Sequence, residues 1–511
     1  MKINYGHLSF CELAEIEGTA GVIILDGQNA NNDQIKDKPR FVPRYELTEK
    51  DDRLILDMID AACWPPITAM IDPYRYESGE RLDYTDWNRL QERILEIVRR
   101  LAVLYDKSMY YKDQRDVSVR INFILNSYFK EEFDYAPRIM LRGTTESGKS
   151  RDQKILAGLC YRGSELVKST LAAMFRLLHM YQITPICDEV QRLKGQAKDD
   201  IEDIILIGFE KGKKITRTDK ETYKPRSYNV YAPMLISVKA GGYTAEDIDN
   251  RAFVSNMIQN PINVKVDPIL DKEEIANIRN MLYSLYLLYK AHPEAFRFKE
   301  LIAESIKHLT EVDPDNPEQG HICDYLRDTF TPEALTGRAR DNAITYYTLS
   351  RFTATEEETL SLLTDSQKRS RERNKDTLEA GIFSGYMKCC LEIYEMHSWA
   401  CYEEILSKVP TKDIAEKYNI CQEEGGNQRG MMDKISTNKI TRTLKDMGFD
   451  IRSGTAGKSF VNVNSETDRV IDTCHNRFGS EEDEDILHKI RARPRIKLTS
   501  KLTKKQELAE S

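Results

Sequence analysis

Along this chain the apolar positions recur at helical spacing in long stretches and at strand spacing in short ones. In "DWNRLQERILEIVRRLAVLY" Leu90, Ile94, Ile97 and Leu101 fall on one stripe, and "VRINFILNSYF" continues the pattern. A helical region over 46–130 is expected. The residues before it include "GQNANNDQIKDKPRFVP", rich in turn formers and without periodicity, so 1–45 read as a poorly ordered segment.

From Ala136 the period changes. "APRIMLRG" is a short β-rich run and "RDQKILAGLCYRG" a helix ending at Gly163. "STLAAMFRLLHMY", with Ser169 as its N-cap, reads as a second helix, "ITPICDE" as a strand, "DDIEDIILIGF" as a helix and "VYAPMLISV" as a strand. Such alternation predicts an α/β core over 131–262, a parallel sheet flanked by helices. After Pro261 the chain turns helical again, opening on a capping box of Asp271 and Glu274, and 263–380 reads as a helical lid. Within 381–475, "KISTNKITRTLKDMGFDIRSGTAGKSFVNVN" predicts a helix from about Thr437 to Met447, then two strands about a Gly-rich turn, the closing order of a winged helix. The stretch 476–511 is acidic and then basic with almost no aromatics, and reads as a disordered tail.

A length of 511 residues predicts about three domains. No run approaches the ~20 apolar residues of a membrane span, and the start lacks a signal-peptide layout. A cytoplasmic protein without membrane contact is expected. Ten scattered cysteines with no C-x-x-C argue against a disulfide framework and a zinc ribbon. With 75 basic and 83 acidic side chains the net charge is −8, so any contact with nucleic acid must come from local patches.

"GTTESGKS" carries the clearest chemistry. It fits G-x-x-x-x-G-K-[ST] at Gly143, Gly148, Lys149 and Ser150, and the pattern needs each residue: glycines let backbone N–H groups converge on phosphate, Lys149 reaches the β/γ oxygens and Ser150 ligates Mg²⁺. Read so, Gly143, Thr144, Thr145, Glu146, Ser147, Gly148, Lys149, Ser150 and Arg151 form an ATP-binding P-loop, with ATP and Mg²⁺ as the implied ligands. The alternative is a polar turn with two glycines, and the strand before and helix after favour the phosphate site. Such a loop needs a second metal carboxylate and a group to polarise water. "ICDEV", 38 residues after Ser150, offers Asp188 for the metal and Glu189 for the nucleophile, although acidic pairs are more often solvated surface. Ser237 near the end of "MLISV" is a candidate γ-phosphate sensor. Arg251 is a candidate arginine supplied to a neighbouring subunit, or else an ordinary surface ion pair. Arg338, with Arg340 beside it, is a candidate lid contact.

The order of "GTTESGKSR", "ITPICDEVQRL", "GFEKGKKITR", "YAPMLISVKAGGYTAEDIDNRAF" and "LTGRARDN" resembles a family of P-loop ATPases carried by phages, plasmids and integrated elements, often joined to primase-type domains. That family is similar to the helicase-like branch of the AAA+ superfamily, and the resemblance spans roughly Asn122 to Phe352. It implies a Mg-dependent ATPase, a homo-oligomeric ring and a DNA-associated motor in replication. The strand before Asp188 is less aliphatic than the family's, and Asn250 precedes Arg251 where the family has aspartate. No primase signature stands in the first 120 residues, so a separate primase or other replication protein is the implied partner. Three patches could meet DNA. Lys211, Lys213, Lys214 and Arg217 lie where related motors grip a strand with a hairpin. Lys439, Arg442 and Lys445 lie on the winged-helix segment. Eight Lys/Arg lie between Lys489 and Lys505. The competing expectations are an ATP-dependent switch or loader that unwinds nothing, and a protein that only binds nucleotide.

Overall fold

A two-residue turn opens the fold. Glu17 and Gly18 both have positive φ, +50° and +77°, the conformation that joins two strands in the tightest hairpins. In the computed structural model that turn links strand β1 (Leu8–Ile16) to β2 (Thr19–Asp26), and β3 (Arg40–Pro43) completes a three-stranded antiparallel sheet. The structure describes residues 8–26, 39–49, 52–76, 78–166, 171–188, 196–218, 223–239, 248, 251–261, 264–310, 337–374, 378–397, 400, 402–407, 409–424, 436–453, 459–461, 467–478 and 480–493. The expectation of disorder over 1–45 is therefore corrected for 8–26 and 39–45. The reason is that both faces of the hairpin are covered: Ile23 and Val22, on opposite faces, are fully buried. An ion pair fixes it in place. Glu12, buried, accepts from Arg162 Nε at 2.7 Å and from Trp64 Nε1 at 2.9 Å, and the guanidinium lies over the Trp64 and Tyr161 rings.

Three helices follow: α1 (Arg53–Ala61), α2 (Trp87–Ser108) and α3 (Asp116–Phe129). The stripe read from the sequence, Leu90, Ile94, Ile97 and Leu101, is the buried face of α2. α3 is buried along nearly its whole length, which makes it a central helix.

The core sheet is built from β4 (Arg138–Gly143), β5 (Gly163–Glu165), β6 (Thr184–Cys187), β9 (Met234–Lys239) and β10 (Ala252–Met257), all parallel, in the order β10-β4-β9-β6-β5. Between them run α4 (Lys149–Leu159), α5 (Leu171–Arg176), α6 (Gln196–Ile207) and an antiparallel hairpin, β7 (Lys214–Thr218) with β8 (Pro225–Asn229). α4 stops four residues before Gly163, where β5 begins. Ser169 lies outside the described residues. Alternate strand residues separate the two faces: Leu141, Leu235 and Phe253 pack with α2, α3 and α4, whereas Met140, Ile236 and Val254 pack with α5 and α6.

Beyond the sheet come α7 (Lys272–Ala291), α8 (Phe298–Thr310), α9 (Gly337–Thr353) and α10 (Glu356–Asn374). Asp271 caps α7 by accepting from Glu274 N at 2.9 Å, while the Glu274 carboxylate turns to Arg100 instead of closing the box. The chain divides into two compact units, 1–367 and 368–511. The second contains α11 (Leu378–Met396), α12 (Tyr402–Ser407), α13 (Thr411–Glu424), α14 (Thr437–Asp446), the strand pair β11 (Ile451–Ser453) and β12 (Ser459–Val461), α15 (Thr467–Phe478) and α16 (Glu481–Arg491). The helix and strand pair stand where the sequence predicts them. The tail does not read as disordered over 481–491, because Ser480 and Asp483 form a capping box and Ile486, Leu487 and Ile490 are buried. Residues 494–511 lie outside the described residues.

Candidate nucleotide-binding site

The loop Thr144–Gly148 joins β4 to α4 at the carboxyl edge of the parallel sheet, the edge where open α/β sheets hold ligands. Gly143 admits no side chain: a Cβ there would stand 2.5 Å from Met257 O and 2.6 Å from Ser147 Oγ. Glu146 and Gly148 have φ of +63° and +89°, so the backbone on either side of Ser147 takes the left-handed turns that gather N–H groups into a concave nest. Gly148 is the N-cap of α4 and no side chain caps the helix. The first-turn amides and the positive end of the helix dipole thus point at the loop's concavity, which suits a phosphate. Lys149 Nζ donates to Gly143 O at 2.7 Å and Thr144 O at 2.6 Å, within the loop itself.

Asp188, one residue past β6, accepts from Gln153 Nε2 at 3.0 Å. Gln153 lies one helical turn after Ser150 on α4, so the carboxylate stands beside the turn that carries the Ser150 hydroxyl. Together they fit a Mg²⁺ that arrives with phosphate and keeps several waters. Among the described residues no group of three His, Cys, Asp or Glu could hold a metal by itself. Burial pushes the neighbouring Cys187 thiol up to about 12, which leaves it inert. Glu189 lies outside the described residues.

Beneath the loop sits a buried charge network. Arg120 of α3, fully buried, donates from Nε and Nη2 to Asp152 Oδ2 at 3.1 Å and from Nη2 to Ser255 Oγ at 2.7 Å. Ser255 in turn donates to Asp116 Oδ2 at 2.6 Å, and the guanidinium lies 4.5 Å from the Tyr111 ring centre. Burial raises the Asp152 carboxyl above its ordinary value, and Arg120 pulls it back down. The network ties α3 and β10 to the first turn of α4.

The remaining candidates are not all at this edge. Ser237 pairs with Leu141 in register, two residues below Gly143, and is fully buried. Lys239 pairs with Gly143, is exposed, and shares the α4 face with Leu235 by strand alternation. Nothing in the sequence marks Lys239, since only the register shows which residue of "MLISVK" reaches the loop. Arg251 precedes Ala252, which pairs with Arg138 at the amino edge of the sheet. That is roughly 17 Å of strand from this chain's own loop, and the residue is only 8 % exposed. Arg338 lies in the first turn of α9, with Arg340 half-buried one turn in. Arg151 turns away from the loop: its guanidinium donates to Ser108 O, Asp267 O and Pro268 O.

The basic residues fall on two separate elements. Lys211, Lys213 and Lys214 are exposed at the base of the β7–β8 hairpin, where Lys213 pairs with Glu210, and Arg217 lies 5.3 Å over Phe175. Lys224 and Arg226, unnoticed in the sequence, add exposed charge to the same hairpin. On α14, Lys439, Arg442 and Lys445 are exposed while Ile440 and Leu444 are buried. Among the described residues no helix is long and apolar enough to cross a membrane.

No family model and no curated protein matches the chain. Among solved structures, the A form apo structure of the NrS-1 C terminal region aligns with 89 % of this chain and 97 % of its own length, at 12 % identity and a TM-score of 0.30. The SCCmec type IV Cch active helicase aligns with 91 % of this chain and 95 % of its own, at 12 % identity and a TM-score of 0.28. At 12 % identity and TM-scores of 0.30 and 0.28 these alignments establish neither fold nor function.

Proposed function

We propose that the chain binds Mg·ATP at Gly143–Ser150, hydrolyses it, and uses the cycle as a DNA-associated, helicase-like motor of a mobile element's replication. One observation carries the nucleotide half: a loop bracketed by Gly143 and Gly148 runs into a helix that no side chain caps at the carboxyl edge of a parallel sheet, with Asp188 held beside the start of that helix. In this reading the loop amides and Lys149 hold the β- and γ-phosphates. Ser150 and Asp188 would hold Mg²⁺, which when bound would supply positive charge against the phosphates. Glu189 orients the attacking water, and Lys239 gives the γ-phosphate a second cation at the level of Gly143. The motor half rests on the family resemblance and on the exposed basic residues of the β7–β8 hairpin and α14, which suit phosphate backbones. Assembly as a homo-oligomeric ring and action with a primase belong to the same proposal.

The test is ATP turnover with and without single-stranded and duplex DNA across a salt series, with strand displacement followed in parallel. A motor gives stimulation that fades with salt, log K falling by about 0.9 per duplex phosphate contacted for each decade of salt. Stimulation without displacement identifies a switch or loader. Turnover indifferent to every nucleic acid refutes the DNA-associated half and leaves the ATPase half standing.

A further inference from the structure

Beside the loop lies a cleft of about 260 Å³ whose floor is Glu146–Gly148 and whose two walls are Ser108–Tyr110 and Val266–Pro268. This is a little under the roughly 300–1,000 Å³ of drug-sized ligand sites, room for one base and sugar. Its lining sets Met109, Tyr110, Val266 and Ile258, the last 38 % exposed, beside the polar Glu146, Asn260 and Asp267. Met109 also reaches the loop: a Cβ on Gly148 would stand 3.4 Å from its Cε. A slot with an apolar side and a few polar groups, beside a phosphate nest, suits a group with flat faces and polar edges joined to phosphates.

The walls are far apart in sequence and are held together by one side chain. Arg151, from the first turn of α4, donates from Nη1 to Ser108 O at 3.1 Å and to Asp267 O, and from Nη2 to Pro268 O at 2.6 Å. One backbone bond joins the same walls, Asp267 N to Lys107 O at 2.9 Å. The guanidinium thus spends donors on carbonyls of both walls while its backbone belongs to the phosphate-binding helix.

We propose that this cleft takes the nucleoside half of the nucleotide, and that Arg151 is the positioning residue that sets the cleft's walls relative to the phosphates. The inference rests on the nucleotide reading above and extends it, since that reading concerns phosphates alone. Arg151 lines the cleft as well as bracing its walls. It decides how much a nucleoside adds to the binding of a bare polyphosphate.

Calorimetric titration of the full chain with Mg·ATP and, separately, with Mg·inorganic triphosphate tests this. Ile258→Trp fills the slot with a neutral ring at a position already exposed, and is expected to weaken ATP at least tenfold while triphosphate stays within twofold. Arg151→Ala is expected to lower the preference for ATP over triphosphate about tenfold, and Arg151→Lys to restore part of it. If both variants leave that preference unchanged, or weaken the two ligands equally, the cleft does not hold the nucleoside. A wild-type chain that binds neither ligand refutes the nucleotide reading itself, whereas one that binds both with equal affinity refutes only the inference.

Discussion

Asp152→Asn probes whether the buried network holds the phosphate-binding helix in place. The substitution keeps the shape of the side chain and removes the charge that faces Arg120 at 3.1 Å, both groups being fully buried. Breaking a buried pair by removing one partner costs about 3–5 kcal/mol, because the other charge stays buried. Asp116, with Oδ2 at 3.4 Å from Arg120 Nη1, remains as a second carboxylate and places the loss near 3 kcal/mol, the low end of about 3–5. Unfolding entropy of about 2.1 cal/mol/K per residue gives roughly 0.8 kcal/mol/K for the 367-residue unit, so Tm should fall by about 4 °C. ATP affinity measured well below Tm should fall as well, since Asp152 follows the loop lysine by three residues on α4. Thermal unfolding followed by circular dichroism reads the first effect and calorimetric titration the second. Arg120→Met combined with Asp152→Asn and Asp116→Asn removes all three facing charges and should recover at least half of the lost Tm. A single variant as stable as wild type, or a triple variant worse than the single, refutes the claim that this pair positions the helix.

Other outcomes follow from placement and burial. Lys239→Ala should weaken ATP by about tenfold, the worth of one charge-assisted hydrogen bond, and leave ADP unchanged; equal loss of both in titration denies it the γ-phosphate. Arg251→Ala, at a buried position on the far edge of the sheet, should lower Tm with turnover per folded molecule unchanged. A collapse of turnover at constant Tm would show instead that the arginine serves a neighbouring copy. Lys130 is buried, donates to Gln182 O at 3.1 Å, and has its pKa lowered by burial to about 8. Its folded pKa lies below the unfolded ~10.4, so between those values the unfolded chain holds a proton that the folded chain has released, and stability rises with pH across that window. Wild type should therefore gain roughly 2–3 kcal/mol relative to Lys130→Met between pH 7 and about pH 10 in urea titrations; a stability gap that does not change with pH contradicts the assignment.

What could be read from the sequence is what local chemistry dictates. Gly143, Gly148, Lys149 and Ser150 stand at fixed spacing because the loop's geometry depends only on neighbours, and Asp188 was legible as the acid at a strand's end. The stripe of α2 and the helix and strands over 437–461 were legible from periodicity for the same reason. The N-terminal hairpin was hidden because its surroundings are rich in Asn and Asp, and its burial depends on Arg162, 150 residues away from Glu12. Lys239 and the cleft needed strand register and the meeting of segments more than 100 residues apart, as in the 116 residues between Arg151 and Asp267. Charge misled at the C-terminal end, where three buried apolar residues on α16 outweigh the acidic run before them.

The central claim is that Gly143–Ser150 is a working ATP site. Steady-state phosphate release from Mg·ATP by the purified full chain, wild type against Lys149→Ala, tests it most directly. The account predicts Mg-dependent turnover in the wild type that falls at least a hundredfold in the variant. Equal release from the two proteins, or none from the wild type with or without DNA, would contradict it.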